Sequence, residues 1–119
     1  SLGNLVFVHK LVEAGEDPSA IRLGVFSGHY RDERDWSDEV LDAAKRRLAA
    51  WREALAQPGS MAGAEEVVAK LRAAIANDLD TPAALAAVDE WTEADRGTDE
   101  DGAADLVRTA LNSLLGVQA

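Results

Sequence analysis

The 119-residue sequence contains no cysteine, which excludes disulfide bonds and any cysteine-ligated metal site within the chain. Histidine is scarce too, because only His9 and His29 occur, and their spacing is not that of a helical zinc motif. Aromatic residues make up 5% of the chain. No apolar run approaches the ~20 residues that span a bilayer, and no secretory signal is recognisable. We therefore expect a cytoplasmic chain that binds no metal of its own and no membrane.

Positive charge is also in short supply. The chain has 22 Asp and Glu against 12 Lys and Arg, a formal net charge of −10. Residues 1–60 carry −2 of this charge and residues 61–119 carry −8. Nucleic-acid binding depends on a positive patch, since neutralising phosphates supplies much of the affinity. The acidic second half therefore argues against nucleic-acid binding and favours a solvated helical surface.

Apolar residues recur at spacings of three and four along most of the chain, a pattern typical of amphipathic helices. The pattern predicts an all-α fold, a helical bundle of five to six helices over residues 9–119, after a short extended segment within residues 1–8. The predicted helices span about 8–14, 18–29, 38–56, 62–77, a stretch from Pro82 onward, and 103–115. Residues 95–102 are predicted to form an acidic loop.

Helix ends are signalled locally. Three residues are predicted to cap the start of a helix: Asp17 before Pro18, Ser37 before the longest helix, and Thr81 before Pro82. Gly15 and Gly116 are predicted to stop helices.

Burial is predicted from the same spacing. The 18–29 helix is expected to bury Ile21, Val25 and Phe26, with Leu23 offset. The longest helix is expected to pack through one seam: Leu41, Ala44, Leu48, Trp51 and Leu55. The basic residues Lys45, Arg46, Arg47 and Arg52 should lie off that seam and pair with nearby acids.

Chemistry-bearing motifs are few. The sequence contains no GxSxG, no P-loop and no GxGxxG. Ser1-Leu2-Gly3-Asn4 is by itself either an ordinary turn before a strand or the end of a loop that closes over a triphosphate. His29 is either a proton donor or substrate contact, or a cap at a helix end. Tyr30 and Trp36 are candidates for packing against a neighbouring domain.

In order along the chain, four segments resemble a known lineage. Ser1 to Asn4 resembles the end of the KMSKS signature loop of class I aminoacyl-tRNA synthetases. The other three are similar to segments of the cysteinyl-tRNA synthetase lineage: Asp17-Pro18 to Arg22, Ser27-Gly28-His29-Tyr30-Arg31 with Trp36-Ser37 after it, and Asp78-Leu79-Asp80-Thr81-Pro82-Ala83-Ala84-Leu85. The resemblance covers most of the chain and identifies it as part of a larger enzyme of that lineage.

Within the lineage, the chain looks more like the ATP-dependent cysteine ligases of mycothiol biosynthesis than like cysteinyl-tRNA synthetase, which is the alternative. The resemblance implies that cysteine is activated as an adenylate and joined to the amine of glucosaminyl-inositol, with AMP released. It implies ATP and zinc as cofactors, bound mainly by a Rossmann-type N-terminal domain outside this chain.

The resemblance also assigns roles to residues of this chain. Ser1, Gly3 and Asn4 would belong to the ATP loop, and His29, Tyr30, Arg31 and Trp36 would lie at the domain junction. No catalytic residue and no metal ligand is expected here, so the chain alone should be inactive. A different class of hypothesis is a stand-alone helical interaction module.

Overall fold

The computed structural model describes residues 9–27, 38–57, 59–94 and 100–119. Within these ranges every regular element is helical, which confirms the predicted all-α bundle. The helices are α1 (9–13), α2 (Pro18–Phe26), α3 (Asp38–Ala56), α4 (Met61–Ala76), α5 (Thr81–Glu93) and α6 (Ala103–Ala110), the last continued by a π-helical turn over Leu111–Leu115. The predicted extended segment and the predicted cap Ser37 lie outside the described residues.

Helix ends follow the local signals at most positions. Asp17 caps α2 by accepting a 2.9 Å hydrogen bond from the Ser19 N–H, and Pro18 takes the first helical position. Ser60 caps α4 in the same way, with a 3.1 Å bond from the Gly63 N–H. Gly15 (φ 81°) and Gly116 (φ 67°) adopt the left-handed conformation that ends a helix, as predicted.

The predicted cap of α5 was wrong by one residue. Asp80, not Thr81, is the N-cap, and its carboxylate accepts a 3.1 Å bond from the Ala83 N–H. The Thr81 hydroxyl is instead used at long range, donating to the Phe26 carbonyl at 2.9 Å. That bond joins the start of α5 to the end of α2, so the hydroxyl serves tertiary packing while the neighbouring carboxylate caps the helix.

The predicted buried face of α2 needs a correction as well. Leu23 is fully buried, whereas Val25 is 40% exposed. Ala20, Leu23 and Gly24 lie at i, i+3 and i+4, and this stripe is the side that α2 turns towards the core. The helix also ends at Phe26, with Ser27 as its C-cap, earlier than the sequence pattern suggests.

One continuous core joins α2 to α6. Its largest fully buried side chains come from α2 to α6 and the residues after them: Leu23, Trp51, Leu71, Leu85, Val88, Val107, Leu111 and Val117. The predicted seam of α3 is confirmed, since all five of its residues are buried. A smaller cluster of Ile21 and Leu41, with Leu11 packed against it, holds α1 to α2 and α3. Among the described helices, none has the length and apolar character needed to cross a bilayer.

Candidate functional site

All seven residues that the sequence analysis assigns to a site lie outside the described residues: Ser1, Gly3, Asn4, His29, Tyr30, Arg31 and Trp36. Their roles therefore stay predictions. The structure does describe the points to which they attach. The first segment joins the bundle at His9, and the second runs between Ser27 and Asp38.

The N-terminal attachment is held by an ion pair across the turn between α1 and α2. Lys45 of α3 lies 2.7 Å from the Glu16 carboxylate. The Glu16 N–H also donates to the Leu11 carbonyl at 3.1 Å, which closes the end of α1. Hydrogen bonding to Glu16 raises the pKa of the Lys45 ammonium above its usual value, so this cation stays charged throughout the physiological range.

Asp17, the next residue, is held by a second cation of α3. The Arg52 guanidinium lies 3.0 Å from Oδ2 of Asp17. The other carboxylate oxygen, Oδ1, accepts the bond that caps α2. Partial burial disfavours the charged carboxylate. The bonds from the Ser19 N–H and from Arg52 outweigh that effect and lower the pKa of Asp17. The α2 cap is therefore an anion at neutral pH.

The residues after the π-helical turn also contact Arg52 and the start of α2. Arg52 donates from the same nitrogen to the Gln118 carbonyl at 2.8 Å. The Gln118 N–H donates to the Ser19 hydroxyl at 2.9 Å, and Val117 is fully buried. The start of α2, the C-terminal part of α3 and the 116–118 segment therefore meet around one guanidinium.

The second attachment borders a groove of about 340 Å³. It is lined by Ser27, Glu39, Val40, Ala43, Ala44 and Arg47. Ser27 is fastened to α2 through a 2.8 Å bond from its hydroxyl to the Gly24 carbonyl. The groove thus lies where the segment containing His29 and Trp36 leaves α2 and returns to α3, and it offers one acidic and one basic side chain.

Arg47 forms an ion pair with Asp89 of α5. Its guanidinium binds the Asp89 carboxylate at 3.0 and 3.1 Å, and the Trp51 indole N–H donates to the same carboxylate at 2.8 Å. Trp51 is fully buried, so this bond satisfies its indole N–H inside the core. The sequence analysis placed Arg47 off the seam and expected pairing with acids, but it did not single out Asp89.

The described residues contain no group of three or more His, Asp or Glu side chains that could hold an ion. His9 lies 3.0 Å from Glu13, and both side chains are largely exposed. The described part of the chain therefore does not supply the ligands of a zinc site.

Comparisons with known proteins find similar sequences among curated ligases. No family model matches it. It is 62% identical to the L-cysteine:1D-myo-inositol 2-amino-2-deoxy-alpha-D-glucopyranoside ligase of Corynebacterium aurimucosum, over 99% of this chain and 29% of that protein. Ligases of the same name from Saccharomonospora viridis and Mycolicibacterium smegmatis are 57% and 54% identical, each over 98% of this chain and 29% of the relative.

The chain therefore spans less than a third of the length of these curated relatives, and the match lies in their C-terminal region. The resemblance predicted from the sequence motifs is confirmed at this level. Along nearly its whole length, the chain is homologous to the C-terminal segment of the L-cysteine:1D-myo-inositol 2-amino-2-deoxy-alpha-D-glucopyranoside ligases.

Proposed function

We propose that this chain is the C-terminal helical part of a cytoplasmic, ATP-dependent ligase that joins cysteine to glucosaminyl-inositol in mycothiol biosynthesis. The observation that carries the proposal is 62% identity, over 99% of the chain, to a ligase whose name states both substrates. The motifs from Ser1 to Asn4 and from Asp78 to Leu85, which occur in the expected order along the chain, agree with it.

The proposed reaction has two steps. A cysteine carboxylate oxygen attacks the α-phosphorus of ATP, which gives cysteinyl-adenylate and releases pyrophosphate. The amine of glucosaminyl-inositol then attacks the adenylate carbonyl, so that an amide forms, the bond to AMP breaks and the amine loses a proton. Both steps require the reactants to be held close together and correctly oriented. We expect a domain that lies beside the catalytic domain to contribute to this positioning.

Zinc would serve, when bound, to hold the thiolate of the substrate cysteine. The described residues do not fit that role, so we assign the metal to the rest of the enzyme. The same applies to most of the ATP site. This chain would supply the last residues of the ATP loop, namely Ser1, Gly3 and Asn4, and the base that supports them. His29, Tyr30, Arg31 and Trp36 would pack at the junction with the catalytic domain, beside the groove between Ser27 and Arg47.

The acceptor distinguishes this proposal from its nearest alternative. A cysteinyl-tRNA synthetase would transfer cysteine to tRNA, and the −8 charge of residues 61–119 makes the second half of the chain poorly suited to a phosphate backbone.

The test is AMP release by the full-length enzyme that contains this chain, with ATP, cysteine and either glucosaminyl-inositol or tRNA. We expect turnover with glucosaminyl-inositol alone. Turnover with tRNA alone would make the parent a synthetase. The 119-residue chain assayed alone is the matched control, and we expect no AMP release from it. A parent that lacked ATP- and cysteine-dependent activity altogether would favour a helical interaction module.

A further inference from the structure

Two exposed apolar side chains lie beside the hydrogen bond that joins α2 to α5. Among the described residues, the large apolar side chains that are exposed are Val12 (55%), Val25 (40%) and Leu79 (68%). Val25 precedes Phe26, whose carbonyl accepts the 2.9 Å bond from the Thr81 hydroxyl, and Leu79 lies two residues before Thr81. We call Val25, Phe26 and Leu79 the α2–α5 corner. Isolated exposed apolar residues are common, whereas neighbouring ones point to an interaction surface.

The backbone presents the Leu79 side chain to solvent in a strained conformation. Leu79 and Asp78 both have positive φ, 54° and 52°, which disfavours residues that carry a Cβ atom. The turn is fixed by bonds from the Leu79 N–H to the Ile75 carbonyl at 3.1 Å and from the Thr81 N–H to the Leu79 carbonyl at 2.7 Å. Strain of this kind is retained mainly at functional sites. Glycine would fit the turn without strain, so a leucine here gains only if another surface covers it.

The position of the α2–α5 corner points to the part of the protein that adjoins this chain. The chain covers 29% of its Corynebacterium aurimucosum relative, in the C-terminal region, so most of such an enzyme precedes the matched region. That part joins the bundle at α1, whose Leu11 packs against the same small cluster as Val40 of α3. Val40 also lines the groove at Ser27, the residue after Phe26. The attachment and the α2–α5 corner therefore border the same end of α2.

The small size of the α2–α5 corner favours a covalently attached partner over a separate protein. A stable complex between separate proteins buries roughly 1,000 Å² or more, which three side chains do not offer. A tethered domain needs less, because its linker holds it at an effective concentration of the order of millimolar. Asp78 and Asp80 flank Leu79 in sequence, so the covering surface should combine an apolar pocket with a basic rim.

We propose that the α2–α5 corner is a docking surface for the part of the parent enzyme outside this chain, and that Leu79 inserts into an apolar pocket of that part. The inference rests on the proposed function only in that the chain belongs to a longer enzyme, and the acceptor substrate does not enter it. Burial of Leu79 in the assembled enzyme supplies the apolar gain that offsets its left-handed backbone.

The test measures how fast an introduced thiol reacts in the full-length parent enzyme. Leu79→Cys and Val25→Cys are the probes, and Ala69→Cys, at an exposed position of α4, is the matched control. Because the chain has no cysteine of its own, mass spectrometry assigns each modified peptide unambiguously. The rate of modification by N-ethylmaleimide in the native enzyme is divided by the rate in urea, which removes the local effect of neighbouring carboxylates.

For Leu79→Cys we expect this ratio to be about tenfold lower than for Ala69→Cys, since a covered thiol is inaccessible to the reagent. The ratio for Val25→Cys should also lie below that of the control. The protection should persist through about a hundredfold dilution of the enzyme, because a tethered partner does not dissociate on dilution.

A photoreactive leucine analogue in place of Leu79 identifies what covers this position in the same enzyme. Irradiation should give crosslinks to peptides from outside the 119 residues. Equal ratios for Leu79→Cys and Ala69→Cys, crosslinks confined to the chain itself, or crosslinks between two copies of the enzyme would each overturn the proposal. If Leu79→Cys does not fold, Val25→Cys and the crosslink decide. No turnover is needed, so a parent without ligase activity would sink the proposed function and leave the docking surface standing.

Discussion

At the scale of single residues, one carboxylate satisfies two cross-helix donors. Asp89 accepts from the Trp51 indole N–H at 2.8 Å and from Arg47 at 3.0 Å. Trp51 is fully buried, so without Asp89 its indole N–H would have to find another acceptor inside the core. A buried donor left without a partner costs about 1–3 kcal/mol.

We therefore expect Asp89→Ala to lower the free energy of unfolding by about 1–3 kcal/mol, measured by urea denaturation of the chain with tryptophan fluorescence. The matched control is Glu66→Ala on α4. Glu66 is 68% exposed and its carboxylate lies 3.3 Å from Lys70, so its loss should cost about 0.5 kcal/mol or less. Equal effects of the two substitutions would contradict a special role for Asp89.

A second residue-scale prediction concerns pH. The pKa of Asp17 is lowered in the folded chain, so the unfolded chain binds more protons around pH 4. The stabilisation is therefore present above the unfolded pKa of about 4 and is lost as the pH falls through the lowered folded pKa. Its size is modest, below about 1 kcal/mol, because the Asp17 side chain is 39% exposed.

Asp17→Asn isolates this effect, since asparagine also caps helices well but carries no charge. We expect the unsubstituted chain to be more stable than Asp17→Asn at pH 7, with the difference shrinking below pH 4. Urea unfolding of both proteins at several pH values measures it, and the titration of other carboxylates cancels in the difference. A stability difference that is the same at pH 7 and pH 3 would show that the charge of Asp17 is not the cause.

At the scale of elements, the end of α4 is unusual. Asp78 and Leu79 both adopt the left-handed conformation, with φ of 52° and 54°. The turn is closed by bonds from Leu79 N–H to the Ile75 carbonyl at 3.1 Å and from Asp80 N–H to the Ala74 carbonyl at 2.9 Å. Leu79 is also 68% exposed, so burial of its side chain does not compensate for the backbone conformation. A non-glycine residue in this conformation costs roughly 1–2 kcal/mol.

Leu79→Gly should therefore stabilise the chain by about 0.5 kcal/mol, after the greater freedom of glycine in the unfolded state is subtracted. Ala69→Gly, at an exposed position inside α4, is the control and should destabilise by about 1 kcal/mol. Thermal unfolding of both variants measures whether each substitution stabilises or destabilises the chain. If Leu79→Gly destabilises as much as Ala69→Gly does, the left-handed strain at Leu79 is negligible.

At the scale of the whole molecule, the net charge of −10 dominates the electrostatics. Repulsion among like charges destabilises a compact state, and salt screens it over a Debye length of about 10 Å at 0.1 M. Ion pairs on the described surface, such as Lys70 with Glu66, are exposed, so they stabilise the folded chain only slightly against this repulsion.

We therefore expect the melting temperature of the chain to rise between 10 mM and 500 mM sodium chloride. The expected rise is a few degrees. Sodium sulfate at matched ionic strength is a poor control, because sulfate also strengthens apolar burial. Potassium chloride is a suitable one and should give the same rise. A melting temperature that falls with salt would mean that the ion pairs outweigh the net repulsion.

Sequence reasoning predicted the helices and most of their ends, because these depend on neighbours within a few residues. Asp17 with Pro18, Gly15 and Gly116 each act on the adjacent backbone. The seam of α3 could be predicted equally well, since a helix buries residues at spacings of three and four. The motifs from Ser1 to Asn4 and from Asp78 to Leu85 led to the resemblance for a similar reason, because each is a short run of neighbouring residues.

Only the tertiary structure decided which side of α2 is buried and which long-range partners meet. Leu23 faces the core and Val25 does not, because the choice depends on where α3 and α5 lie. The same holds for the bond from the Trp51 indole to Asp89 and for Arg52, which binds both Asp17 and the Gln118 carbonyl. The sequence by itself determined the helices, several of their ends and the similarity to the ligases. Contacts between residues 35 to 66 positions apart were decided by packing, because no local pattern encodes which distant donor will face which acceptor.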